Sequence, residues 1–213
     1  MLLQHISRDS SYFARVTASF LVVALAMVEM FSVPKNYFLL GSIVATTCMV
    51  CVAFMVSSDF ASLFKPSWRT LAIGASSAII LYLIFVGGNE LVRTVSPLGV
   101  NASNENSIYS LFASTPIALR VVVFILDAFG FETYFRGVLQ PIFAKKIGIG
   151  SAFVVALIDA SIHISSLNPL FVVTTFIADS VWGLNYHFSK ELSSNIASHL
   201  LWDMLIFIVI PIS

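Results

Sequence analysis

Charge is scarce in this chain. Asp, Glu, Lys and Arg supply 10% of its 213 residues, against about 25% in soluble domains. Eleven basic and eleven acidic side chains cancel to a formal net charge of +0, so no global field draws in nucleic acid, and that class of function is excluded. Cysteine is nearly absent. Cys48 and Cys51 form a C-x-x-C inside an apolar run, with no further thiol to complete a metal site or a disulfide framework, so they read as small apolar helix residues. Internal repeats and low-complexity tracts are missing too, which leaves a solenoid or a disordered chain without support. Hydrocarbon takes their place: 58% of residues are hydrophobic, 19 are Phe, and mean hydropathy is +0.95. That composition predicts an all-α, polytopic membrane bundle.

A lipid-spanning helix needs roughly 20 mostly apolar residues. Seven stretches qualify, at about 13–33, 37–57, 71–88, 118–144, 150–166, 169–187 and 194–212. The first is too long for a signal-peptide core, no small-residue cleavage site follows it, and it carries Glu29, so it reads as a retained helix. Residues 1–213 are expected to form one integral-membrane domain, with three N-terminal helices and an external loop over 1–117 and a core over 118–213. The longest polar connector runs from Asn89 to Pro116. Its centre, Asn101 to Asn106, reads as a flexible loop and begins with a glycosylation sequon. On alternate sides of seven spans, Arg8, Arg15, Lys65, Arg69, Lys145, Lys146 and Lys190 face Lys35, Arg93 and Arg120. That bias predicts a cytoplasmic N-terminus. Trp68, Trp182 and Trp202 suit helix ends or interfaces, and Gly74 to Ser77 suits close helix packing.

Against this background the ionisable residues inside apolar runs stand out: Glu132 with Arg136, His163, and His199 with Asp203. Charge in hydrocarbon is costly and marks function or tight pairing. Ile147-Gly148-Ile149-Gly150 reads as the turn of an antiparallel helix pair. Glu132 and His163 stand 16 and 15 residues from Gly148, which puts both roughly 22–24 Å from the turn and at matching depth. Pro141 is expected to kink or end the fourth helix. His199 lies nine residues after Lys190, about 14 Å in from the same side. Glu132/Arg136 and His199/Asp203 are i,i+4 pairs, each projecting from one helical face. The bland alternative is a structural ion pair and two histidines bonded to neighbouring carbonyls. Convergence of four such groups at one depth favours a shared interior pocket.

Three short motifs then line up. Phe131-Glu-Thr-Tyr-Phe-Arg-Gly137 resembles the E-E-x-x-F-R-G signature of the CPBP intramembrane proteases, the group that includes CAAX prenyl endopeptidases and Abi-type bacteriocin-processing or self-immunity proteins. His163 resembles the family's F-x-x-x-H, and His199-Leu-Leu-Trp-Asp203 its H-x-x-x-N/D. The likeness runs over 118–212 and includes Gly183-Leu-Asn-Tyr186. It implies a membrane endopeptidase of a bacterial cytoplasmic membrane, working without a cofactor, whose partners are membrane lipid and a peptide or protein with a membrane-associated C-terminal segment. Carried over by position, His163 orients or activates water, His199 with Asp203 forms the oxyanion side, and Arg136 positions Glu132.

Two positions depart from the pattern. Phe131 stands where the family has its first Glu, the water-activating base, and Asp159 stands where F-x-x-x-H has its aromatic residue. Three readings follow. Glu132 takes over as base, although it points about 100° away around the helix; or Asp159 supplies the lost carboxylate, although it lies about 9 Å off in depth; or the chain keeps the fold without the activity. Outside proteolysis by an activated water, His163, His199 and a carboxylate are a candidate three-ligand zinc site, although no H-E-x-x-H occurs. A non-enzymatic immunity or signalling protein can use the same cavity to bind a peptide or helix, which Phe131 favours and the two retained histidines oppose. A proton-coupled transporter can use Asp127, Asp159 and Asp179 as a relay, but no inverted repeat accompanies them.

Overall fold

The structure, a computed structural model, describes residues 10–34, 37–57, 60–95, 109, 112 and 115–212. Helices make up nearly all of it, and no strand occurs among the described residues. Helix α1 is Ser10–Ser32, α2 is Phe38–Val56 and α3 is Trp68–Val95. By length and composition these three are apolar enough to cross a membrane. Helix α3 runs seven residues past the expected end at 88, because Gly87 and Gly88 do not break a helix whose following residues Asn89 to Val95 continue it. The sequon, its flexible loop, and Arg8 and Lys35 of the charge count lie outside the described residues.

The fourth stretch is one rod of three parts: α4 (Ile117–Phe131), a widened segment Glu132–Leu139 with π-type turns, and α5 (Gln140–Ile147). Pro141 therefore does not end the helix. It lacks an N–H, and its ring crowds the carbonyl four residues back, so the preceding turns open; the Gln140 N–H bonds to the Phe135 carbonyl, five residues earlier. The same happens ahead of Pro211, where Ile210 N–H reaches the Leu205 carbonyl at 2.8 Å.

Gly148, with φ +55°, makes the expected turn into α6 (Gly150–Ile162), which tightens into a 3-10 turn over His163–Ser166. Asn168 then caps α7 (Pro169–Ser189) by accepting the Phe171 N–H at 3.2 Å, with Pro169 at the first helical position. Helix α8 (Ser193–Met204) continues as a wide turn over Leu205–Val209. Its start is fixed by Glu191, whose carboxylate accepts the N–H groups of Ser193 at 2.8 Å and Ser194 at 3.0 Å, an anion placed on the positive end of a helix.

Helix α1 packs on α2, α2 on α4, α6 on α7, and α8 on α3. Val23, Met27, Met49, Tyr134, Phe135 and Leu192 form the largest apolar core. Large apolar side chains also point outward, among them Leu25, Leu40, Met55, Leu83, Leu157 and Val173. Polar groups lie inside and hydrocarbon outside, the inverse of a soluble protein and the arrangement lipid requires.

Close helix contacts depend on missing side chains. A Cβ on Gly183 of α7 would lie 2.9 Å from Ala152 Cα of α6, and one on Gly74 of α3 would lie 2.6 Å from the Ser194 carbonyl oxygen of α8. Both α7 and α8 carry site residues, so Gly183→Val is expected to force α6 and α7 apart and cost about 1–3 kcal/mol, read as a lower melting temperature in detergent and a reduced monodisperse yield.

Candidate active site

Phe131 and Glu132, consecutive on the helix and so about 100° apart around it, serve two different faces. Phe131 looks into an interior cavity of about 300 Å³ that is also lined by Asp127, Asp159, His163, His199 and Asp203. Glu132 and Arg136, both fully buried, lie behind that wall and are absent from the cavity lining. Every predicted site residue is buried, and His163, His199 and Asp203 meet at one hollow.

Glu132 is occupied on both oxygens. Oε2 accepts a hydrogen bond from Asn195 Nδ2 at 3.0 Å, and Oε1 lies 3.0 Å from His199 Nδ1. Arg136 approaches the same carboxylate, with Nε 3.5 Å from Oε2. The guanidinium's hydrogen bonds go elsewhere: Nη2 donates to the carboxylate of Asp179 and, at 3.0 Å, to its main-chain carbonyl. Gln140 Nε2, one turn on, donates to the Gly183 carbonyl at 2.7 Å. Arg136 and Gln140 thus tie the widened segment to α7, and Glu132 ties it to α8. A carboxylate held by an amide, an imidazole and a guanidinium is a fixed anchor for all three.

His199 is clamped by this network. Its Nδ1 faces Glu132, its Nε2 lies 3.7 Å from Asp203 Oδ2, and its ring stacks on Trp182, with centroids 3.9 Å apart and planes 18° from parallel. Trp182 is in turn held by its Nε1–H, which donates to Ser198 Oγ at 3.1 Å, and by its carbonyl, which accepts from Asn195 at 2.7 Å. Between two carboxyls both ring nitrogens can carry protons, so the imidazole can donate toward an oxygen in the cavity.

His163 occupies the first position of the 3-10 turn, where its ring folds back on the preceding helical turn. Nδ1 lies 3.0 Å from the Asp159 carbonyl oxygen and 3.3 Å from its Oδ1. A main-chain carbonyl only accepts, so Nδ1 carries a proton. Phe31 and Phe171 pack edge-on against the ring, at 5.4 and 5.0 Å between centroids. The Phe131 ring reaches both imidazoles, at 6.2 Å from His163 and 6.1 Å from His199.

Asn195 escaped the sequence reading, although it was legible as the first step of an Asn195/His199/Asp203 stripe spaced by four; Asp127 and Asp179 figure in that reading only as members of a candidate relay. Asp127, one turn before Phe131, lines the cavity and accepts from Ser42 Oγ at 2.7 Å. Trp182 was expected near a helix end or interface; it is 3% exposed and acts as the platform for His199. Trp68, at the start of α3, is 88% exposed and fits the expectation. Among the described residues, no three His, Cys, Asp or Glu side chains are grouped closely enough to hold a metal ion.

Residues 113–205 match the family model for the Rce1-like type II CAAX prenyl endopeptidases. No curated protein and no solved structure matches the chain. The matched segment carries all three motifs and most of the cavity wall, and the helices around it are those of an integral membrane protein. By that match residues 113–205, somewhat less than half of the chain, are similar to the CPBP/CAAX intramembrane proteases, which supports that family for the segment that carries the site.

Proposed function

We propose that this protein is a multi-pass endopeptidase of a bacterial cytoplasmic membrane, with its N-terminus in the cytoplasm, that hydrolyses a peptide bond near the C-terminus of a membrane-associated substrate. The observation that carries the reading is the placement of His163 and His199, from separate helices, on one cavity with the Phe131 ring against both. An activated water on the His163 side attacks the scissile carbonyl. The oxyanion that forms lies toward His199, whose ring Glu132 and Asp203 hold between them. Arg136 fixes Glu132 against α7 through Asp179. Aromatic walls from Phe31, Phe124, Phe171 and Phe207 suit an apolar substrate segment entering from lipid. No cofactor takes part in these steps.

The test is cleavage by the full chain, reconstituted in vesicles, of an internally quenched peptide ending in a prenylated Cys-aliphatic-aliphatic-X sequence, with and without chelator. His163→Gln is expected to lower kcat/KM by about 10²–10³-fold, the range for loss of a positioned acid–base group, without lowering the melting temperature. Activity lost to chelator and restored by zinc would instead support the metalloprotease alternative. A second reading, a silent partner that binds a peptide or helix in the cavity, is favoured by the aromatic ring standing where the family has its base; it predicts peptide binding by fluorescence anisotropy with no cleavage.

A further inference from the structure

The endopeptidase reading leaves the base unassigned, because Phe131 cannot accept a proton and both oxygens of Glu132 are bonded behind the cavity wall. The carboxyls that line the hollow are Asp127, Asp159, Asp179 and Asp203. Asp127 is bound to Ser42 through both oxygens, at 2.7 and 3.0 Å. Asp203 lies on the His199 side. Asp159 alone stands against His163, and its Oδ1 forms no hydrogen bond despite being buried, so its 3.3 Å approach to Nδ1 is an electrostatic contact.

Depth measured from the Gly148 turn set Asp159 about 9 Å from Phe131. Side-chain reach removes that objection, since Asp159 meets the His163 ring at Nδ1 while the Phe131 ring lies against the same imidazole. The two departures from the family pattern, an aromatic for an acid at 131 and an acid for an aromatic at 159, therefore fall on one side chain.

We propose that His163 Nε2 is the general base of this enzyme and that Asp159 is its positioning residue, replacing through His163 the carboxylate absent at Phe131. This rests on the endopeptidase reading. With Nδ1–H committed to the Asp159 carbonyl, the free lone pair of the neutral ring is on Nε2, which has no hydrogen-bond partner among the described residues, and His163 lines the cavity. Nε2 takes a proton from water as the water oxygen bonds to the scissile carbonyl carbon and the carbonyl π pair moves onto its oxygen. Collapse of that oxyanion breaks the C–N bond, the proton on Nε2 passes to the leaving nitrogen, and an acid and an amine result. The Asp159 carboxylate stabilises the imidazolium that exists between those steps, the role of an orienting acid behind a histidine base. Asp179, the neighbouring acid, is bound by Arg136.

The experiment compares wild type, Asp159→Asn, Phe131→Glu and the Phe131→Glu/Asp159→Asn double variant, as full chains in vesicles with the quenched prenylated peptide. Expected are cleavage by wild type, a fall in kcat of about 10²-fold in Asp159→Asn with KM and melting temperature unchanged, and recovery of kcat in the double variant, where the new Glu makes Asp159 dispensable. Wild-type cleavage that Asp159→Asn leaves intact, while His163→Gln abolishes it, overturns the assignment of Asp159 and leaves the endopeptidase reading standing. Cleavage by Phe131→Glu alone, with wild type inert, also overturns it, and shows a protease scaffold without a base. Silence in wild type and all three variants overturns both readings. An Asp159→Asn protein that melts early and is not rescued in the double variant assigns Asp159 to folding and likewise overturns the proposal.

Discussion

Phe131→Glu is expected to raise cleavage of a prenylated peptide by roughly 10- to 100-fold, at or below the lower limit of what a well-placed general base contributes. The ring it replaces touches both imidazoles, at 6.2 and 6.1 Å, so a carboxylate on the same Cβ is directed into the gap where water and the scissile carbonyl must meet. Space is not limiting, since Glu is smaller than Phe and the position borders an open cavity. The cost is a further buried charge beside Asp127, Asp159 and Asp203, offset only where the two histidines carry protons. A variant that folds, binds peptide and cleaves no faster than wild type would show that a carboxylate at position 131 does not reach the attacking water.

Arg136→Met is expected to cost about 3–5 kcal/mol, enough to prevent recovery of folded protein. The guanidinium is 1% exposed, lies 3.5 Å from Glu132 and is hydrogen-bonded to Asp179. Its removal strands two carboxylates in a low-dielectric interior and releases the widened segment from α7. Desolvation makes the stranded partners, not the lost attraction, the dominant cost. Adding Glu132→Gln and Asp179→Leu should therefore restore much of the melting temperature while weakening the hold on His199 and, on the proposed function, lowering cleavage. A single variant that melts like wild type would mean the two acids are already neutral without the arginine.

Most of the helical layout was visible in the amino-acid order, because spans in lipid must be long, apolar and internally hydrogen-bonded, and helix boundaries fell near those expected except at α3. The approach of His163 and His199 to one hollow was also visible, with depth counted from Gly148 for the first and from Lys190 for the second, but the same count put Glu132 in that hollow, and it lies behind the wall. Local backbone winding was not visible. Pro141 announces a disturbance without saying whether the helix stops, bends or widens, and that choice decides that Phe131 faces the hollow while Glu132 faces α8. Partnerships across helices were hidden for a related reason. Arg136 was matched to Glu132 by their spacing of four, yet its hydrogen bonds run to Asp179, a partner 43 positions away that no periodicity connects to it.

The opened turns from Glu132 to Leu139 act as if one surplus amino acid had been slipped into an ordinary helix. Deleting a single residue there would let the rod rewind tightly. Everything upstream would swing by about 100° relative to α5, carrying the aromatic at 131 out of the hollow and pulling the glutamate away from its amide and imidazole partners. Chain length in this stretch, more than side-chain identity, sets which groups share a compartment, and it makes the loss of one codon more damaging here than most substitutions.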